Sequence, residues 1–155
     1  AYQKACIGIV KKRVYATIEG LGIKVDENPH FDWYYGIIDL EFWLKKYVDA
    51  DCVAWIRKNI HPLDIVFRLA EDYGIVLLNG GGFEAPDWSV RVSFANLDDH
   101  VYDDIGRAVR AIARGYVQAY EAAKASPSAG GKVKTKALPR PVSKAKKKAG
   151  TRKAR

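Results

Sequence analysis

Arg91 is the residue whose type and position suggest chemistry most directly. It lies in the middle of residues 88–95, where apolar and polar residues alternate as in a β-strand, so its side chain shares one sheet face with Ser89 and Ser93. Such an arginine requires an anionic partner because an unpaired buried charge is costly, and its planar fork matches a carboxylate with two parallel hydrogen bonds. The partner is either a bound ligand or a nearby acid such as Asp87, or else the side chain is exposed at a sheet edge. Spacing alone leaves these alternatives open.

Three consecutive glycines at 80–82 follow an apolar run and suggest a phosphate-binding loop. They lack the spaced glycines of a dinucleotide-binding fingerprint, and no Lys-Ser or Lys-Thr pair follows as in a P-loop. A predicted strand comes next, so no helix N-terminus faces the loop. The favoured interpretation is a turn that needs either a positive φ or a close backbone approach.

The remaining polar motifs predict neither a metal site nor a catalytic residue. The acid pairs at 98–99 and 103–104 are typical of a solvated helix start, and the Ser-x-x-Lys match at 143–146 lies in a Lys/Ala-rich run without a scaffold. The histidines show no ligand-like spacing with each other or with the cysteines. These residues are His30, His61, His100, Cys6 and Cys52.

The formal charge of +8 in this 155-residue chain is concentrated at one end. Residues 126–155 contain eight lysines, three arginines and no acid, whereas residues 1–125 contain 15 basic and 18 acidic side chains. The terminal segment has few bulky apolar residues, so we expect it to be disordered. It is expected either to contact polyanions such as nucleic acid non-specifically or to be an incidental solubilising extension.

Composition predicts one compact domain in residues 1–125. Hydrophobic residues make up 48% of the chain, which excludes a wholly disordered protein. Two cysteines do not make a disulfide-rich scaffold, so a reduced, cytoplasmic location is expected. No apolar run approaches the roughly 20 residues that span a bilayer, so no membrane partner is predicted.

Periodicity predicts an α/β fold with a small sheet flanked by helices. The link from 78 to 88 is too short for a helical crossover, so the sheet is antiparallel or mixed. Core positions in the helices include Ile7, Val14, Phe42 and Leu44. Helices are predicted at 2–20, 41–48, 50–58, from Pro62 to about Asp72 and from Asp98 or Asp99 to about Lys124, and strands at 33–40, 75–78 (buried) and 88–95.

Several short sequence motifs resemble the C-terminal part of aspartate 4-decarboxylase. This family belongs to the fold-type-I aminotransferase group of pyridoxal-phosphate enzymes and is also described as a bifunctional aspartate aminotransferase. The resemblance covers roughly residues 2–123 and is most specific over 75–97. Its motifs are GIVLL at 74–78, GGGF at 80–83, WSVRVS at 88–93 and ANL at 95–97, with YY at 34–35, IDL at 38–40 and FRLA at 67–70 upstream.

The resemblance implies a role for Arg91 that periodicity does not give. In the family, the arginine at this position holds the α-carboxylate of the substrate. The substrate would be aspartate, and the products alanine and carbon dioxide, with transamination as a second activity. Residues 1–125 would be the small domain of such an enzyme, and the family assembles as homo-oligomers built from dimers.

The same resemblance implies that part of the enzyme is missing. The lysine that attaches pyridoxal phosphate lies in a larger domain without counterpart here, so we expect a fragment that neither binds the cofactor nor decarboxylates aspartate unaided. One alternative is a basic-tailed interaction module. Another is a non-catalytic remnant whose aromatic residues, such as Trp43 and Trp88, leave an exposed apolar patch where a domain is absent.

Overall fold

The computed structural model describes residues 2–26 and 30–125, and these form a small α/β domain with a three-stranded antiparallel sheet. The predicted fold class is therefore confirmed, whereas the predictions for residues 126–155 lie outside the described residues. The elements are α1 (Tyr2–Leu21), β1 (Tyr35–Asp39), α2 (Leu40–Tyr47), α3 (Ala50–Asn59), α4 (Asp64–Tyr73), β2 (Leu78–Asn79), a 3₁₀ helix (Gly80–Phe83), β3 (Ser89–Ser93) and α5 (Val101–Ala125).

Short polar residues and one glycine fix the helix boundaries. The side chain of Asp39 caps α2 by accepting a hydrogen bond from the Phe42 backbone N–H, and Asp49 caps α3 in the same way. Helix α4 ends at Gly74, whose φ of 66° suits glycine because it has no Cβ. Helix α5 begins at Val101, later than predicted, because the preceding acids form a turn.

The central strand of the sheet is β3, which pairs with β1 on one side and β2 on the other. In this register Arg91 lies opposite Ile37 of β1 and Leu78 of β2. Val90 and Val92 are buried against the helices, at 0% and 1% exposure, and Arg91 is half-buried on the opposite face. The alternation that placed Arg91 on the face away from the valines is therefore confirmed.

The prediction of a buried strand over 75–78 is wrong. Only Leu78 and Asn79 pair with β3, and the side chains of Val76 and Leu78 are 81% and 53% exposed. The segment runs along the edge of the sheet, where Ile75 and Leu77 contact the core and the intervening side chains turn outward. A continuous apolar run does not reveal that one of its two faces is uncovered.

Three predicted burial states are also corrected. Ile7 is 47% exposed because the buried residues of α1 all lie in its second half. Phe42 is 56% exposed, with its ring packed edge-on against Trp43 at 5.1 Å between centroids. Trp88, suggested above as part of an exposed patch, is a core residue with only 5% exposure.

Helices α1 and α5 pack closely because glycines face each other where they cross. A Cβ on Gly106 would lie 2.3 Å from the carbonyl oxygen of Thr17, and a Cβ on Gly20 would lie 2.4 Å from that of Asp103. Helix α5 in turn buries an apolar face that begins with Tyr102 and Ile105, both fully buried. Across the described residues, no helix is both long and apolar enough to cross a membrane.

Candidate carboxylate-binding site

The Arg91 guanidinium is flanked by two aromatic rings. Its Cζ lies 3.9 Å from the ring centroid of Tyr35 and 4.3 Å from that of Phe83. Tyr35 lies on β1 opposite Ser93, which places it diagonally next to Arg91 on the same sheet face. Attraction between the cation and the negative ring faces stabilises this arrangement.

Within the described residues, the Arg91 guanidinium forms no hydrogen bond or ion pair with another side chain or with a backbone group. The acid considered above, Asp87, is not its partner: its carbonyl oxygen accepts a hydrogen bond from Asn79 Nδ2 at 2.9 Å, and its carboxylate faces Gly81. The N–H groups of the guanidinium therefore remain available for a ligand.

The glycine segment brings Phe83 to Arg91. Asn79 caps the 3₁₀ helix by accepting a hydrogen bond from the Gly81 N–H at 2.9 Å. A Cβ on Gly80 would lie 1.9 Å from Ser89 Oγ, so the close approach predicted for this turn is confirmed. The positive φ occurs instead at Glu84, at 58°, where the 3₁₀ helix ends. The segment is a tight connection between β2 and β3.

A cleft of about 210 Å³ lies beside Arg91. Among the described residues of its lining, Arg91 is the one with a charged side chain, and the uncharged polar side chains are those of Tyr35, Ser93 and Asn96. The Ser93 hydroxyl is buried without a hydrogen-bond partner among the described residues. The cleft suits a small anionic ligand with apolar parts. The other lining residues are apolar: Val76, Leu77, Leu78, Val92 and Leu97.

Tyr102 holds the loop that forms one wall of the cleft. Its hydroxyl donates a hydrogen bond to the carbonyl oxygen of Ser93, at 3.2 Å, and accepts one from the Leu97 N–H, at 3.1 Å. The ring is fully buried. The start of α5 thus fixes both the end of β3 and the turn that carries Asn96.

Arg13 on α1 anchors the same loop from outside. Its Nη1 donates to the carbonyl oxygen of Phe94 at 3.1 Å, and its Nε donates to Asp99 Oδ1 at 2.7 Å. Hydrogen bonds from Arg13 and Lys12 hold the pKa of Asp99 below its usual value, and the bond to Asp99 raises the pKa of Arg13. These anchors and the contacts of the two rings leave no signal in the sequence, because each contact joins segments that are far apart in the chain.

The other candidate residues do not gather into a site. No group of three or more histidine, cysteine or acidic side chains that could hold a metal ion occurs in residues 2–26 and 30–125. Asp103 and Asp104 pair with Arg107 at 2.6 and 2.8 Å, as expected for a helix start. No lysine is among the described residues that line the cleft, so these residues do not fit covalent attachment of pyridoxal phosphate.

The chain is similar in sequence to part of a known enzyme. No protein-family model matches the chain. A Pseudomonas protein described as a bifunctional aspartate aminotransferase and L-aspartate beta-decarboxylase is 34% identical over 122 residues, which are 79% of this chain and 23% of that enzyme. The chain therefore spans about a quarter of the relative's length. The similarity supports a relationship to these aspartate-converting enzymes over a partial region.

Proposed function

We propose that this chain supplies the substrate-carboxylate site of a pyridoxal-phosphate-dependent aspartate aminotransferase and decarboxylase, with Arg91 binding the α-carboxylate of aspartate. The observation that carries the proposal is the state of Arg91: its guanidinium is held at a cleft but has no acid partner among the described residues. A charge in this state is expected to pair with a ligand anion, because an internal pair would already have satisfied it.

The contribution of Arg91 is binding and orientation. Two parallel hydrogen bonds to a carboxylate fix both its position and its plane, and so restrict the directions in which the other substituents of Cα can point. The bond-breaking chemistry belongs to pyridoxal phosphate, and the residues of this cleft do not hold it. Residues 2–125 are accordingly proposed to act together with a cofactor-bearing domain, within a homo-oligomer built from dimers.

A chimera tests the proposal directly. The 122 matched residues of the Pseudomonas enzyme are replaced by the corresponding residues of this chain, and conversion of aspartate to alanine is measured. Arg91→Ala should lower kcat/KM by an amount equivalent to about 2–4 kcal/mol, since it removes a bidentate contact to a charged group. Arg91→Lys should recover part of this loss, because a point charge remains but the planar fork does not.

The matched control is Arg68→Ala. Arg68 is a partly exposed arginine on α4 whose Nε lies 3.5 Å from Asp72 Oδ2 one helical turn away, and it does not line the cleft. This variant should keep the activity of the chimera. An Arg91→Ala chimera as active towards aspartate as the Arg68→Ala chimera would refute the proposal.

The charge of residues 126–155 supports a second, separate proposal. A segment with eleven basic residues and no acid attracts polyanions by releasing their counterions. The full chain should bind duplex DNA with an affinity that falls steeply as salt is raised, and removal of residues 126–155 should abolish this binding. Equal binding by the shortened chain would contradict this proposal without touching that for Arg91.

A further inference from the structure

We propose that Tyr35 and Phe83 are positioning residues that clamp the Arg91 guanidinium, so that a ligand can reach it only along its N–H edge. This inference rests on the proposed function, because it assigns to the two rings the task of fixing the plane of the bound carboxylate. It predicts that both rings contribute to ligand affinity without touching the bond-breaking chemistry.

The distances place the guanidinium carbon over the faces of both rings. With Cζ 3.9 Å from one ring centroid and 4.3 Å from the other, the cation must lie above the ring faces, because an approach in a ring plane is stopped farther out by the ring's own edge. No ring contact joins Tyr35 and Phe83 among the described side chains. Two rings stacked on one face at these distances would touch, so they approach from different sides.

A guanidinium covered on its faces still presents its donors. The N–H groups of arginine lie in the plane of the head group, so stacked rings leave the hydrogen-bonding edge free. A carboxylate that binds along this edge takes its orientation from the clamped plane. A flat ligand that would stack on the guanidinium face is excluded, because that face is occupied.

The clamp joins the two edges of the sheet across its central strand. Tyr35 comes from β1, and Phe83 comes from the 3₁₀ helix that follows β2, so neither ring belongs to the strand that carries Arg91. A free arginine side chain loses rotamer freedom when it binds, and this loss weakens binding. Rings that already restrict the Arg91 side chain reduce this loss of rotamer freedom on binding. The tight turn at Gly80 contributes to this effect because it brings Phe83 to Arg91.

The test follows the Arg91 Nε–Hε resonance and the backbone amide resonances of the ¹⁵N-labelled full chain while L-aspartate is added, and the amides also report binding by Arg91→Ala. Tyr35→Leu and Phe83→Leu each remove one ring and should weaken aspartate binding about two- to fivefold, the effect of one exposed cation–π contact. The matched variants Tyr35→Phe and Phe83→Tyr keep a ring and should retain more of the aspartate affinity than the leucine variant at the same position. The two rings are 41% and 47% exposed, so none of these changes opens the core.

A measurement without ligand accompanies the titration. Rings stacked on a guanidinium shift its proton resonances and slow its rotation, so each leucine variant should move the Nε–Hε resonance and speed its exchange, whereas the ring-keeping variants should not. If Tyr35 only supported the fold, Tyr35→Leu and Tyr35→Phe would not differ in both aspartate affinity and the Arg91 Nε–Hε resonance.

The outcomes separate the clamp from the proposed function. If Arg91→Ala abolishes aspartate binding but both leucine variants bind as tightly as the unchanged chain, the clamp is overturned and Arg91 keeps its proposed role. If aspartate leaves the Arg91 resonance unmoved, or binds Arg91→Ala equally well, the proposed function fails and the clamp fails with it.

Discussion

Replacing Tyr102 by phenylalanine tests the architecture behind the cleft. The change keeps the fully buried ring, and with it the packing against Phe94 at 5.7 Å between centroids, but removes the hydroxyl. That hydroxyl satisfies two backbone groups, the carbonyl of Ser93 and the N–H of Leu97. Each lost hydrogen bond costs about 1 kcal/mol net, and a buried group left without a partner costs more. We therefore expect a loss of about 2–4 kcal/mol in the free energy of unfolding.

Urea unfolding of the full chain measures this loss, with an unchanged m-value showing that the same surface is exposed. Tyr120→Phe is the control, because the Tyr120 hydroxyl accepts only a long bond, 3.5 Å, from the exposed Lys124. It should cost less than about 0.5 kcal/mol. Faster amide hydrogen exchange at Leu97 should accompany Tyr102→Phe alone. A Tyr102→Phe variant as stable as Tyr120→Phe would show that the loop is held by something else.

Three further predictions concern packing, pH and thiol reactivity. Gly106→Ala should destabilise the fold by about 1–3 kcal/mol in urea unfolding, because the new Cβ would lie 2.3 Å from a backbone oxygen of α1. The control is Gly115→Ala, whose Cβ would lie 3.7 Å from its nearest neighbour and should be neutral or slightly stabilising. The pKa of Asp99 is lower in the folded protein than in the unfolded chain, so the Asp99 carboxylate stabilises the fold fully above about pH 4, the pKa in the unfolded chain, and this stabilisation is lost as the pH falls further. Asp99→Asn should flatten this acid dependence of thermal stability. An unchanged dependence would contradict the prediction. Cys52 is buried, and burial raises the pKa of its thiol, so iodoacetamide should modify the half-buried Cys6 first and Cys52 only after unfolding. Rapid labelling of both cysteines would contradict the burial of Cys52 in the core.

The elements of the fold follow from local patterns in the sequence. Helical periodicity located all five helices, and the alternation around Arg91 identified the face on which it lies. The pattern did not show that Ser89, on the same alternation, is fully buried with its hydroxyl donating to the Pro86 carbonyl at 2.6 Å. Nor could the apolar run at 75–78 show that no layer covers its outer side. Local patterns state what a segment prefers, and neighbouring elements decide what is buried.

The site itself was predictable only in part. The type and strand position of Arg91 pointed to a carboxylate, but whether its partner was internal depended on where Asp87 lies in space. The contacts of Tyr35 and Phe83 with the guanidinium arise from strand register and from a glycine turn, neither of which leaves a repeating pattern. The anchors at Arg13 and Tyr102 are likewise tertiary contacts, without a local signature.

The strand order has one more consequence. Because β3 is central, β1 is an outer strand, and in the part of the chain that the structure describes no further strand pairs with its free side. Its five residues include Ile37, which is 44% exposed. Another chain that paired with this strand would widen the surface carrying Tyr35 and Arg91 by one row of side chains. The surroundings of the cleft therefore depend on what lies against β1, and self-association through this strand would change the cleft without any change in sequence.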